Sequence, residues 1–404
     1  MTEFAPIDGG ITAPQGFCAA GVHAGIKKSG APDMALIVSD PAAHVAGTFT
    51  TNRIQGATVR LCRERLQNGR AAAVIINSGN ANACTGPEGD ANAARMGSLT
   101  AKALGAEEDT VFVCSTGTIG VPLPMDKIET GIRAAADALS PDGGGSAARA
   151  IMTTDTVDKQ FAIELSIGGQ AVRLGGMTKG AGMIEPNMAT MLAFLATDAA
   201  VEPAALQECL VSAVDDSFNR VSVDGDQSCN DTVLFMANGA AGNEPLGPGH
   251  VDWPAFSGAV AHVARELALK IVADGEGATK LVTVNISGAA TIEDARKAAR
   301  AVANSLLVKT SWYGCDPNWG RVIDAVGYSG ADVREALVDI RYDDFLAVHN
   351  GQVAGDTALA DLERVLRQDR FSVNVDLNLG DGTDTVYTCD CSEEYVRINS
   401  EYTT

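Results

Sequence analysis

The stretch Gly175-Gly176-Met177-Thr178-Lys179-Gly180-Ala181-Gly182-Met183-Ile184-Glu185-Pro186-Asn187-Met188-Ala189-Thr190-Met191-Leu192 decides how this chain is read. Four glycines give the backbone freedom and close approach. Pro186 then stiffens the chain, and an Ala-Thr pair opens the apolar run Met191–Ala196. A glycine-rich loop feeding a core strand accounts for this composition. A chemical reading stands beside it. A Thr at the start of a buried strand can attack the carbonyl before it, and an N-to-O acyl shift with ester hydrolysis then frees Thr190 as a new N-terminus. Its own α-amine, with a reference pKa of about 7.7–8.0, becomes the base for its hydroxyl.

Around this segment, strands and helices alternate. Ala71–Asn77 reads as a buried strand turning at Ser78-Gly79-Asn80, and Val111–Cys114 as another halted at Ser115-Thr116-Gly117. Phe161–Ile167 and Gln170–Leu174 flank Gly168-Gly169 as a hairpin. Helical spacing covers Asp90–Leu104 (closed by Gly105), Pro203–Val214, Trp253–Asp274 and Ile292–Ala303. Further strands are expected near Thr232–Met236, Leu281–Ile286, Val338–Tyr342, Phe371–Leu377 and Thr385–Cys389. Gly143-Gly144-Gly145 reads as an exposed loop. With so many hairpin-compatible strands, the expectation is α+β, layered sheets with helices, rather than a doubly wound parallel sheet.

Composition narrows the function. Lys+Arg 30 against Asp+Glu 51 gives a formal charge of -21, which argues against nucleic acid or an anionic membrane as partner. Residues 1–189 carry -3 of it and residues 190–404 carry -18; a solvated acidic surface is the plain reading. Nine cysteines without a C-x-x-C pair fit a reduced, cytoplasmic protein. The N-terminus lacks signal-peptide character, and no apolar run approaches 18 residues. The five histidines show no zinc-ligand spacing, so no metal is expected. No G-x-S-x-G elbow or G-x-G-x-x-G is present. Gly275-Glu276-Gly277-Ala278-Thr279-Lys280 lacks the ending of a phosphate loop. Asp224–Asp231 has calcium-like acidic spacing without the closing Glu and reads as a structural turn.

Two further segments bear on chemistry. Cys114-Ser115-Thr116-Gly117-Thr118-Ile119-Gly120 ends a strand in small residues that expose N–H groups and a hydroxyl, as an oxyanion hole requires. Asn77-Ser78-Gly79-Asn80-Ala81-Asn82-Ala83-Cys84-Thr85-Gly86 is dense in amides, which a well-satisfied turn also explains.

NSGNANACTG (77–86), CSTGTIG (114–120), TTDT (153–156), GGMTKGAGMIEPNMATML (175–192), GDQSCNDT (225–232), GEGATK (275–280), DPNWGR (316–321) and RINSEYTT (397–404) together resemble the ornithine acetyltransferase family. The match runs in order along essentially the whole chain. It departs at Cys229, where Ser or Thr is usual, and at Trp312-Tyr313, where a Phe pair is expected. The resemblance implies self-cleavage between Ala189 and Thr190 into an α chain (1–189) and a β chain (190–404) that associate as a heterotetramer of two α and two β. It implies Thr190 as nucleophile, Thr116 and Gly117 as oxyanion hole, and Thr153, Lys179, Glu276, Asn399 and Thr404 lining the substrate site with Thr190. The implied reaction is a ping-pong transfer of acetyl from N-acetylornithine to glutamate in arginine biosynthesis. No cofactor is required, and acetyl-CoA is a co-substrate in bifunctional members. The rivals are an N-terminal-threonine amidase or aminopeptidase, a relative acting on another acetylated amine, and a catalytically silent scaffold.

Overall fold

The structure, a computed structural model, describes residues 4–185, 191–355 and 357–401. Ala189, Thr190 and Thr404 therefore lie outside the described residues. The chain forms two compact units, residues 1–219 with 226–271, and residues 220–225 with 272–403.

Strands of the first unit are β1 Ala5–Pro6, β2 Phe17–Val22, β3 Met34–Phe49, β4 Arg70–Asn80, β5 Val111–Thr118, β6 Lys159–Ile167, β7 Gln170–Lys179, β8 Leu192–Thr197 and β9 Thr232–Ala237. Among the described residues they make one sheet in the order β1-β6-β7-β8-β9-β3-β4-β5, with β2 paired to β3. The sheet is mixed, since β4–β5 and β8–β9 are parallel and β7–β8 and β3–β9 antiparallel. Its helices are α1 Ala57–Arg65, α2 Gly86–Leu104, α3 Met125–Asp137, α4 Gly144–Ala150, α5 Pro203–Asp215 and α6 Trp253–Ala273.

Period-two alternation sorts side chains to the two faces of this sheet. Ala35, Ile37, Val74 and Ile76 join a core cluster with Ala147, Ala148 and Ile151 of the α4 region. Their neighbours Met34, Leu36, Ala73 and Ile75 join another with Met96 of α2 and Ile128 and Ile132 of α3. Covered on both faces, β8 and β9 are buried at every residue. That explains why their sequences show no polar alternation.

The second unit carries β10 Leu281–Ala289, β11 Asp339–Tyr342, β12 Phe345–His349, β13 Gln352–Val353, β14 Arg370–Asp376 and β15 Gly382–Cys389. These form a six-stranded sheet in the order β13-β12-β11-β14-β10-β15. Helices α7 Ile292–Asn304, α8 Leu306–Tyr313, α9 Trp319–Tyr328 and α10 Leu359–Leu366 contribute Ala298, Trp312, Val322 and Leu366 to its core. A last helix, α11 Glu393–Glu401, follows β15.

The α+β layered architecture agrees with expectation, and so does the hairpin over Gly168-Gly169. Three readings need correction. Strand β4 does not turn at Ser78, because its register with β5 runs on to Asn80; likewise β5 is not halted at Ser115 and continues to Thr118. Gly143-Gly144-Gly145 is not an exposed loop. Gly143 and Gly144 are buried where α4 packs on β2, and a Cβ at Gly143 would sit 1.7 Å from the Ala19 carbonyl oxygen. The glycine at 143 answers to space and not to dihedral freedom, since its φ is -78.

Gly143→Ala is expected to force α4 off β2 and to destabilise the protein by about 3 kcal/mol, the upper range for overpacking. Gly330→Ala, where an added Cβ meets nothing within 4 Å, controls for backbone strain alone, because its φ is +78. Chemical denaturation of both variants checks this.

Candidate active site

The parallel β4–β5 pair ends in a tight polar turn. Ser115 donates its hydroxyl to Asn77 Oδ1 at 2.6 Å, and Asn77 Nδ2 donates to the Asn80 carbonyl at 2.8 Å. Asn80 Nδ2 in turn reaches the carbonyls of Val121 and Pro122, while Asn82 Nδ2 reaches that of Gly89. The amide-dense segment is thus a satisfied turn, as its composition allowed, and it also braces the end of β5. Gly117 lies opposite Gly79 with a φ of 130. A Cβ there would fall 2.4 Å from the Gly79 carbonyl carbon and 2.6 Å from Asn80 N. Only glycine fits, on dihedral and on space together.

The end of β7 brings Lys179 to this turn. Its ammonium donates to Thr153 Oγ1 at 2.7 Å and to Thr116 Oγ1 at 3.4 Å. Lys179 is 2% exposed. The structure therefore unites four expected residues, with Thr116, Thr153 and Lys179 in hydrogen-bond reach and Gly117 next in the turn.

Asp155, which sequence reasoning passed over, ties these parts together. Its carboxylate accepts from Lys159 Nζ at 2.6 Å, from Gly180 N at 2.7 Å and from Thr153 N at 2.9 Å. Burial would raise its pKa, but the charges of Lys179 and Lys159, with hydrogen bonds from Lys159 and Gly180, hold the carboxyl well below the usual range. Its sequence signal was an Asp-x-x-x-Lys spacing that starts in TTDT and ends at Lys159, which lacks meaning until both residues are seen to be buried. Lys27 belongs to the same electrostatic neighbourhood. Burial lowers its ammonium to about 8 against the pull of Asp33, and the like charge of Lys179 adds to the fall.

Glu276 and Asn399 belong to the second unit and meet there. Asn399, on α11, donates Nδ2 to Glu276 Oε2 at 2.7 Å, and Glu276 is 8% exposed. The C-terminal helix is held to the Gly275–Lys280 loop by several bonds. Ser392 Oγ donates to the Gly277 carbonyl at 2.7 Å, and Asp390 accepts from the amides of Thr279 and Lys280 at 2.8 and 3.0 Å. Asp390 thus occupies the amides that an anion would use in that loop. Asn399 thus meets Glu276, another residue expected to line the substrate site.

A family model described as the ArgJ family matches residues 18–404. The arginine biosynthesis bifunctional protein ArgJ of Symbiobacterium thermophilum is 53% identical, over 98% of this chain and 99% of that protein. The protein of the same name from Geobacter sulfurreducens is 51% identical, over 96% and 99%. A crystal structure of arginine biosynthesis bifunctional protein ArgJ from Bacillus halodurans superposes with a TM-score of 0.51 at 41% identity. It covers 53% of this chain and 100% of that chain.

Asp155→Asn should lower stability at neutral pH by about 3–5 kcal/mol, since it strands buried ammonium charge. A depressed carboxyl pKa contributes stability that is present above the unfolded value of about 3.9 and is lost as pH falls through the lower folded value. The gap in melting temperature between wild type and Asp155→Asn should therefore narrow below about pH 4. Thermal melts across pH 2.5–7 measure it.

Proposed function

The chain belongs to the ArgJ family, and from that premise we propose that it is a glutamate N-acetyltransferase of arginine biosynthesis working through an acetyl-threonine. The observation that carries this reading is the meeting of Thr116, Thr153 and Lys179 beside Gly117, at the end of the strand leading to Thr190.

On this reading the chain cleaves itself between Ala189 and Thr190. The freed α-amine takes the proton from Thr190 Oγ, which attacks the acetyl carbonyl of N-acetylornithine. Thr116 and Gly117 stabilise the tetrahedral oxyanion. Collapse breaks the C–N bond, the α-amine returns the proton to the departing nitrogen, and ornithine leaves. The α-amine of glutamate then attacks the ester, Thr190 leaves as alcohol, and N-acetylglutamate is released. Lys179 and Thr153 suit a substrate α-carboxylate, for which a charge-assisted bond is strong. Glu276, held by Asn399, suits the side-chain ammonium of ornithine, and Thr404 completes the site. Acetyl-CoA serves as a second donor, with thiolate in place of amine as leaving group; the relatives carry the word bifunctional in their names.

A further feature supports cleavage. The Bacillus halodurans chain corresponds in full to 53% of this one, which is the share that residues 190–404 represent. The cleaved α and β chains would assemble as two of each in the cytoplasm; among the described residues no helix is long and apolar enough to cross a membrane.

Purified protein should migrate as two bands near roughly 19 and 22 kDa, in proportion to chain length, and Thr190→Ala as one inactive band. A cleaved and active Thr190→Ala enzyme would falsify the assignment.

Incubation with N-acetylornithine alone should add one acetyl group to the fragment beginning at Thr190, and glutamate should discharge it as N-acetylglutamate. Release of free acetate without transfer would identify a hydrolase instead. Turnover should fall below neutral pH as the α-amine protonates. Intact mass spectrometry and a pH profile of kcat/KM supply both readouts.

A further inference from the structure

The turn before β9 carries acidic residues, and its last two positions, Asn230 and Asp231, reach both halves of the proposed site. Asp231 is wholly buried. Its Oδ1 accepts the backbone N–H of Met191 at 3.0 Å. The next residue, Thr232, donates its own N–H to the Met191 carbonyl at 3.2 Å. Met191 is thus held at both its backbone groups. Asn230, one residue earlier, donates Nδ2 to the Ser115 carbonyl at 2.7 Å and to the Ala81 carbonyl at 2.5 Å.

Peptide planarity gives these contacts their meaning. The Met191 N–H lies in the peptide plane that contains the Thr190 carbonyl. The Ser115 carbonyl lies in the plane that contains the Thr116 N–H. Because each plane is rigid, fixing one of its polar groups orients the other. Two adjacent residues just ahead of β9 therefore orient the peptide after the nucleophile and the peptide between Ser115 and Thr116.

We infer that Asn230 and Asp231 form a positioning clamp that sets the nucleophile's strand in register with the oxyanion turn. The inference rests on the reading of Thr190 as nucleophile. Neither side chain needs to touch substrate. The carboxyl of Asp231 serves as an acceptor. Burial raises it well above the usual carboxylate range, with the Met191 hydrogen bond and the charge of Lys179 pulling the other way. An uncharged Asn230 is equally apt beside two carbonyls, where a carboxylate would be repelled.

The test compares Asp231→Asn, which keeps shape and acceptor, with Asp231→Leu, which keeps shape alone. Wild type is first loaded with N-acetylornithine. If no acetyl group appears on the peptide beginning at Thr190, the reading of the nucleophile fails, whatever the variants do. If it appears, Asp231→Leu should slow self-cleavage and lower kcat about 10–100-fold, the scale of a misplacement near 1 Å. KM should stay within about twofold, since substrate contacts are intact. Asp231→Asn should restore kcat to within about threefold of wild type. A folded Asp231→Leu enzyme with wild-type kcat overturns the clamp, as does a loss carried by KM alone. Should Asp231→Leu not fold, Asp231→Asn decides by itself. Near-normal kcat supports the clamp, since the acceptor is kept, and a loss beyond tenfold overturns it.

Discussion

The buried carboxylate of Asp155 is the interaction on which the first unit's polar site depends. A lysine ammonium is rarely taken out of water without a partner, because desolvation costs several kcal/mol per ion. Here Lys159 and Lys179 are both nearly inaccessible. One carboxylate serves both, bonding Lys159 directly and lying in the field of Lys179. The same oxygens accept backbone N–H groups of Thr153 and Gly180. A charge placed for electrostatic reasons thereby also fixes the Cα positions from which Thr153 and Lys179 project. Electrostatics and geometry are one requirement at this site.

The sheet explains how the protein would survive cutting of its own chain. Residues 1–189 supply β1–β7, and residues 190–404 supply β8 and β9 to the same sheet. In spatial order the two later strands lie between β7 on one side and β3 on the other. Both boundaries are antiparallel ladders, Leu174–Lys179 against Leu192–Thr197 and His44–Phe49 against Thr232–Ala237. All side chains of β8 and β9 are buried. Hydrolysis of the 189–190 bond would break neither ladder and expose none of that apolar surface, so the driving force for association is the folding energy itself. A chain break inside a sheet costs little when the sheet continues across it.

Local signals carried the parts of the fold that local physics dictates. Gly105 caps α2 with a φ of 67, and Pro203 opens α5. Gly168 and Gly169, at φ 56 and 82, make the hairpin. Strand β3 was not read from the sequence: Asp40-Pro41 breaks its apolar run, yet the pair falls at a shift of register between Val38 and Ala43 within one long strand. Gly143 was misread because nothing in its neighbours reports the approach of the Ala19 carbonyl from across the sheet. The site divides in the same way. Thr116, Gly117, Thr153, Lys179, Glu276 and Asn399 enter the candidate site through motifs. Asp155 and Asp231 do not, since an acidic residue in a polar run looks solvated until tertiary packing buries it.

The preponderance of amides around the end of β5 follows from the same economy of charge. Carbonyls that leave a ladder at a strand end still need donors. Lysine or arginine could supply them, but each would bring a further buried charge whose desolvation costs several kcal/mol. Asn77, Asn80, Asn82 and Asn230 donate without net charge, each to a backbone carbonyl. Lys179 enters from β7 and donates to the hydroxyls of Thr116 and Thr153. Neutral groups hold the backbone in shape, and the ammonium of Lys179 meets side-chain hydroxyls beside it.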